Sequence, residues 1–417
     1  MILTVVCDVL GRENNGTTIA AMNLIRSMKA KGHSVRVVCP DEYRKGEDGF
    51  FVVPTCSLLF LNKYLEKNGV TLARPVRSIL ESAIDGADVV HIMIPFALGR
   101  AALRIAKEKG IPVTAGFHCQ AENFLSHLFL MNSPLAAKLL YHNFYNGFYK
   151  YVDAVHYPTE FIREVFENEV GRTNAYVISN GVSRSFCIDA KRRFDKAEGE
   201  DFTVVFTGRY SKEKSHKVLI DAVAASKYRD RIRLVLAGSG PLEKKIREYA
   251  RKKLPIQPEF RFFKREELIE VLENADLYVH PAEVEIEAIA CLEAISTGLV
   301  PVISDSPRSA TRFFALSEKN LFRCNDPASL AAKIDMWLDD PEARRECSEA
   351  YVRACGSFDF DCCMDRMEGM LRETVAHAKE RRRFALSRRG GDEMLAEDAE
   401  PWLAEETREP EEAVIRG

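Results

Sequence analysis

The chain has 417 residues, 46% of them apolar, and a formal charge of −3. That is enough for two to three domains around two hydrophobic cores, and the charge argues against a nucleic-acid binder. The eleven cysteines (7, 39, 56, 119, 187, 291, 324, 347, 355, 362 and 363) form no CxxC and no Cys/His ligand spacing, so they read as reduced core thiols of a cytosolic protein.

The opening MILTVVCDVLG reads as a buried strand and not as a signal peptide, because no basic run precedes it and a turn follows at once. TIAAMNLIRSMKAKGH has the spacing of an amphipathic helix, and SVRVVCP is again a strand. DVVHIMI, ALGRAALRIAKEKG and IPVTAGFH repeat the order strand, helix, strand, and AVHYPT and AYVISN add two more strands. Such alternation predicts a parallel sheet covered by helices on both faces. No apolar run reaches the roughly 18 to 20 residues that span a bilayer, so any membrane contact is expected to be peripheral.

A second series follows Asn180 and the turn-prone Gly181. FTVVFTG, a helix from about Lys217, IRLVLAG, the helix PLEKKIREYARKK, ADLYVHPA, a helix around Glu293 and VPVISD again read as strand–helix–strand units. The fold expected is α/β, with two doubly wound Rossmann-like domains facing across a cleft. The first spans 1–182 and the second 183–357, joined through the charged, loop-like stretch near 181–200. A helical segment, 358–380, is expected to return to the first domain. A charged tail, 381–417, follows; residues 379–389 carry six Lys/Arg and one Glu, and 392–412 carry ten acids and one Arg, a composition that predicts disorder.

Ligands of such sheets bind at the carboxyl ends of the strands, where the chemistry-bearing residues collect. FTGRYSKEK puts Arg209 and Lys214 just past a strand, with Gly208 permitting close backbone approach. The pair suits a diphosphate, a planar fork of donors beside a compact charge; two solvated surface cations are the plainer alternative. AGSGPLEKK places Gly238 and Gly240 at the opening of a helix, but Glu243 stands where a dinucleotide fingerprint needs its third glycine, so a tight strand-to-helix turn is the simple reading. In HPAEVEIEAIACLEAISTGLVPVIS, Glu285 and Glu293 are eight steps apart, and on one helix they would fall within about 80° of each other. Two carboxylates facing one crevice suit a polar ligand.

In this order, GRYSKEK, AGSGP and the Glu-x7-Glu segment after a proline-containing strand end resemble the family 4 retaining glycosyltransferases of the GT-B fold. The resemblance covers roughly 1–375 and is densest over 203–305. It implies that Arg209 and Lys214 hold a donor diphosphate, that Glu285 meets the hydroxyls of the transferred sugar, and that Glu293 meets the ribose. Backbone amides near Ala288, Ile289 and Ala290 would add donors at a helix N-terminus. The family's N-terminal glycine-rich loop maps onto NNGTT, with Gly16 beside phosphate. The chain departs from the family where Gly-Phe-Gly usually follows the first glutamate: it has Ile286, Glu287 and Ala288. Glu287 is expected to face solvent, although it also offers a second candidate for the sugar-binding acid. His118, ending the strand in VTAGFHCQAEN, is a structural histidine on the residues alone. The resemblance places it beside the donor phosphate, as a donor to the leaving group or an orienter of the sugar. No metal and no cofactor are implied; cations and helix N-terminus offset the phosphate charge.

Within the family, HIMIPFALGRAA, AGFHCQAEN, HYPTEF, EVEIEAIACLEA and SDSPRSATRFFAL look most like the bacterial diacylglycerol and glycosyl-diacylglycerol glucosyltransferases. That implies a UDP-glucose donor, a lipid acceptor, and a peripheral place on the inner face of the cell membrane. Phe124, Phe129, Tyr141, Phe144, Tyr145, Phe148, Tyr149 and Tyr151, with Leu128, Leu139 and Leu140, could line a lipid-facing surface or fill the first domain's core. Lys63, Lys67, Arg74 and Arg77 interleave with apolar residues and could meet anionic headgroups or simply face solvent. RRRFALSRR could be a second membrane contact or a helix's solvated end. The competing functions are the same fold acting on a soluble glycan or small acceptor, and a noncatalytic sugar-nucleotide-binding protein.

Overall fold

The short β-branched runs of the first half become β1 (Ile2–Val6), β2 (Ser34–Cys39), β3 (Phe50–Val52), β4 (Val89–Ile92), β5 (Val113–Gly116), β6 (Ala154–Tyr157) and β7 (Ala175–Val177). In the computed structural model they form one sheet in the order β3-β2-β1-β4-β5-β6-β7, and every neighbouring pair is parallel. The structure describes residues 1–10, 16–56, 73–126, 132–187, 194–197 and 199–389. Helices α1 (Gly16–Ala30), α2 (Arg77–Ile84), α3 (Ala97–Glu108), α4 (Ala121–Ser126), α5 (Pro134–Gly147) and α6 (Glu160–Val170) connect the strands. Because side chains alternate along a strand, Leu3, Val5 and Cys7 pack against α1 on one face while Val6 joins the cluster of α2, α3, α5 and α6 on the other.

The second half repeats the plan with β8 (Phe202–Thr207), β9 (Ile232–Ala237), β10 (Glu259–Arg261), β11 (Leu277–His280), β12 (Pro301–Ser304) and β13 (Leu321–Phe322). Their order is β10-β9-β8-β11-β12-β13, again all parallel. Its helices are α7 (His216–Ala225), α8 (Glu243–Lys253), α9 (Arg265–Asn274), α10 (Ile289–Ser296), α11 (Pro327–Asp339) and α12 (Pro341–Ala354). The edge strands β3, β10 and β13 are not among those the sequence predicts. They are only two or three residues long, too short for a period of two to stand out.

The last helix, α13 (Phe360–Arg389), begins beside the first half. Cys363, Met364, Met367, Met370 and Leu371 are buried with Leu3, Val5 and α1. Gly181, at φ 76°, permits this, since a Cβ there would sit 2.8 Å from Phe360 Cα. Residues 1–375 form one compact unit. The acidic stretch 392–412 lies outside the described residues.

Two surface readings left open by the sequence are decided for the described residues. Tyr141, Phe144, Phe148 and Tyr149 are buried, and Tyr141 and Tyr149 ring Phe117 and Phe166, at centroid distances of 4.6 to 6.3 Å. These rings are core because α5 packs beside α6 over β5 and β6, which consumes the apolar face. Leu139 remains exposed, while Leu128, Phe129, Lys63 and Lys67 lie outside the described residues. Arg77 pairs with Glu81 and Glu108 on a solvated face. Ten cysteines are described and all are free, but Cys187 and Cys362 are exposed, so not every thiol is core.

His156, buried on β6, meets Ile178 O at 2.6 Å through Nε2. Burial lowers its pKa to about 4, with Arg366 adding to the effect and the carbonyl opposing it. Below the ordinary value of 6.5 the unfolded chain takes a proton that the folded chain refuses. The associated stability is therefore complete above about 6.5 and is lost as pH falls toward 4, at about 1.4 kcal/mol per unit. His156→Gln keeps a donor for Ile178 and removes this linkage, so its Tm should fall less steeply than wild type between pH 6.5 and 4. Equal slopes by calorimetry would refute the assignment.

Candidate functional site

In each half the strand order reverses beside the first strand, between β1 and β4 and between β8 and β11. Crevices open at such switch points outside the carboxyl ends. The turn after β8 carries Gly208, Arg209 and Lys214, and the turn after β11 carries Glu285, so the predicted cations and first carboxylate flank one switch point.

Glu285 is 7% exposed, and the Lys214 ammonium is hydrogen-bonded to its Oε1. The same oxygen takes a bond from His280 Nε2 at 3.1 Å. His280 Nδ1 lies 3.1 Å from Tyr278 Oη, which lies 2.9 Å from Thr207 Oγ1. The relay is consistent if neutral His280 carries its proton on Nε2 and Tyr278 donates to Nδ1. Burial pushes the Glu285 carboxyl up, but Lys214 and His280 outweigh it and hold the group at about 2. Burial likewise lowers His280, against the pull of Glu285. Glu285 is thus an ionised carboxylate at neutral pH, anchored from below.

Sequence reasoning passes over His280, Tyr278 and Thr207. The signal was present: Tyr278 and His280 alternate on one strand face, directed at the turn that holds Glu285.

The segment after Glu285 is not helical, contrary to the spacing argument. Glu285 bridges to Ser309 in extended geometry, and its carbonyl accepts from Ala310 N at 2.9 Å. Ala288 then turns left-handed, at φ 61° and ψ 71°, and α10 starts only at Ile289. Two carboxylates cannot share a helix face when one lies before the helix. Glu293, on α10, is half-buried, its pKa raised to about 7 by burial against the pull of Arg265. Burial pushes the Tyr278 hydroxyl well above its ordinary value, with the charges of Glu285 and Glu293 adding to the effect. Ile289 and Ala290 open α10, where first-turn amides have no partner within the helix.

Glu287 does not face solvent. It is 3% exposed, and its carboxylate accepts from Ser179 Oγ at 2.5 Å, Asn180 N at 3.1 Å and Asn180 Nδ2 at 2.5 Å. Those donors fully engage it within the protein, which removes it as a second sugar-binding acid.

Gly238 and Gly240 have a packing reason. A Cβ at Gly238 would sit 2.0 Å from Gly208 O, and one at Gly240 2.6 Å from Tyr210 N. The turns after β8 and β9 can therefore nest only as glycines.

In the first half, His118 lies past β5, and its ring occupies the space a Cβ at Gly116 would fill, 2.5 Å away. Burial, then His156 and His91, hold it well below 6.5, so it is neutral. Its Nε2 is buried without a hydrogen-bond partner among the described residues. Gly16 is exposed as the first residue of α1, and the rest of the NNGTT turn up to Asn15 lies outside the described residues. Asp8, past β1, is an acid the sequence does not single out: 1% exposed, accepting from Leu98 N at 3.2 Å, and raised to about 7 by burial. Among the described residues no group of three or more His, Cys, Asp or Glu could hold a metal ion, and no helix is long and apolar enough to cross a membrane.

Chemically, a carboxylate beside an ammonium suits a ligand that is anionic at one end and rich in hydroxyls at the other. The anion can take Lys214, Arg209 and the helix amides, while freed carboxylate lone pairs accept hydroxyl protons. Tyr278→Phe leaves His280 and Thr207 without their buried link and should cost about 1 to 3 kcal/mol in denaturant unfolding. A variant as stable as wild type would mean that the relay is not formed.

Comparison with known proteins agrees with this architecture. Residues 14–186 match the description "Glycosyltransferase Family 4", and residues 188–352 match "Glycosyl transferases group 1". An α-monoglucosyldiacylglycerol synthase of Streptococcus pneumoniae is 26% identical over 52% of this chain and 51% of that enzyme, so the chain spans about half of that relative. A GDP-mannose-dependent α-mannosyltransferase of Corynebacterium glutamicum is 25% identical over 81% of this chain and 80% of its own length. The crystal structure of Anabaena HepE in complex with UDP-glucose shares the fold, with a TM-score of 0.69 at 14% identity, over 89% of this chain and all of that one. The two halves are GT-B domains, and the chain belongs to the family 4 glycosyltransferases.

Proposed function

We propose that this chain is a retaining, metal-independent hexosyltransferase that moves glucose from UDP-glucose to a hydroxyl of a membrane lipid, diacylglycerol or a glycosyl-diacylglycerol. The observation that carries the reading is the ionised Glu285 held beside Lys214 over His280 at the switch point. Arg209, Lys214 and the amides of Ile289 and Ala290 offset the diphosphate, and Gly16, Gly208, Gly238, Gly240 and Ala288 let backbone approach the donor. As the diphosphate draws Lys214 away, Glu285 is left to accept from the sugar's hydroxyls, and Glu293 accepts from the ribose. His118, neutral, donates from its ring to the oxygen that gains charge as the anomeric bond breaks. The bond to the lipid oxygen forms in its place, and the acceptor's proton leaves with the diphosphate.

The name of the pneumococcal relative supports the glycolipid acceptor. So does α5, where Leu135 and Leu139, one turn apart, are 68% and 62% exposed beside Lys138. Such a face suits the interface of an anionic bilayer at the cytoplasmic side, reached without a membrane span. The corynebacterial relative favours a second donor, GDP-mannose.

Radiolabelled UDP-glucose or GDP-mannose, incubated with the protein and diacylglycerol-containing anionic vesicles in a chelator, should yield an α-linked glucolipid from the first donor. Lys214→Ala and Glu293→Ala should each lower the rate by roughly 10²-fold or more. Product from GDP-mannose alone would transfer the reading to mannose. Absence of lipid product from a panel of sugar nucleotides would defeat it.

A further inference from the structure

The turn that joins Glu285 to α10 is fastened to the opposite half at two consecutive residues. The Thr159 hydroxyl, which accepts from Ile162 N at 3.3 Å as the N-cap of α6, donates to Ile286 O at 2.8 Å. The Ile286 side chain packs against the first half's aromatic core. Next along the chain, the Glu287 carboxylate accepts from Ser179 and Asn180, past β7 of the first half. Behind it, Gln120 Nε2 reaches Arg308 O at 3.2 Å, and Arg308 reaches Asn132 Oδ1 at 2.9 Å. Arg308 O is also the acceptor for Glu285 N.

This turn holds a conformation it would not choose alone. Ala288 is left-handed, a region that costs an L-residue with a Cβ about 1 kcal/mol or more. An unpartnered buried carboxylate is costlier still, so Glu287 can stay where it is only while Ser179 and Asn180 face it. Separation of the halves would strip it of its donors and release the turn.

We propose that Glu287 is a positioning residue: by seating on Ser179 and Asn180 it holds the 285–290 turn in the shape that presents Glu285 and the first amides of α10. The donor site is then complete only when the two halves are together. The inference rests on the functional reading above for what the site binds, but not for the fastening itself.

Amide hydrogen exchange on the full chain tests the fastening without any activity. Glu287→Ala should raise exchange in peptides covering 283–292 and 156–182 while the exchange of β8 and β9 stays as in wild type. Glu287→Gln should return it most of the way, because its carbonyl can accept from Ser179 and Asn180 N while its amide donates to a turned Asn180 side chain. Unchanged exchange in Glu287→Ala, or equal damage in both variants, would overturn the proposal. In the transfer assay, Glu287→Ala should lower kcat about tenfold or more, yet bind UDP at one site per chain by calorimetry. A kcat within twofold of wild type, or one that falls only with the fraction of chain able to bind UDP, would also overturn it. Wild-type protein that binds UDP and transfers no sugar would instead defeat the functional reading and leave exchange to judge Glu287.

Discussion

An ionised carboxylate removed from water must be met by cations or hydrogen-bond donors, and Glu285 meets that requirement through residues drawn from separate elements. Lys214 comes from the turn after β8 and His280 from the end of β11. The parallel register of β8 and β11 places Tyr278 opposite Val205, two residues before Thr207. Thr207, Tyr278 and His280 therefore share one sheet face and stack under the carboxylate as a chain of single hydrogen bonds. The buried ring and hydroxyls are satisfied only while that register holds, which joins the geometry of the site to the folding of the second sheet.

The three carboxylates of the EVEIEAIACLEA segment show how environment divides residues of one chemical type. Glu285 is held at about 2 by a cation, whereas Glu287 and Glu293 are raised to about 7, burial being the dominant cause for both. Glu287 receives only neutral donors, whose hydrogen bonds moderate the effect of burial without cancelling it. Raised acids work against stability near neutral pH: their contribution is greatest below the ordinary value of 4.5 and is lost as pH rises through 7. Of the two raised acids here, Glu287 directly precedes the left-handed turn at Ala288 and Glu293 lies five residues beyond it, on α10.

Much was legible from local pattern. The alternation of β-branched runs with amphipathic helices led to two parallel sheets, since each βαβ unit spans few residues and each element announces its own period. Arg209, Lys214 and Glu285 stand out in the sequence because strand ends concentrate polar residues, and a polar residue soon after an apolar run is conspicuous. Three kinds of feature escaped. Strands β3, β10 and β13 are too short to show a period. The rings of Tyr141 and Tyr149 could be assigned to core or surface only once α5 had a neighbour. Helical spacing misled for Glu285, because the left-handed break at Ala288 is carried by a residue that does not advertise it, where a glycine would have done so.

Sequence alone determined the strand–helix alternation, the acids and cations available at the strand ends, and the glycines where turns nest, all of them consequences of steric and hydrophobic rules acting over a few residues. Tertiary structure alone decided which carboxylate faces a cation and which is buried between the halves. Glu287 finds Asn180 across 107 residues of chain, and a contact at that separation leaves no periodic trace. Its existence depends on two sheets coming together, which supplies the donors that make burial of the charge tolerable.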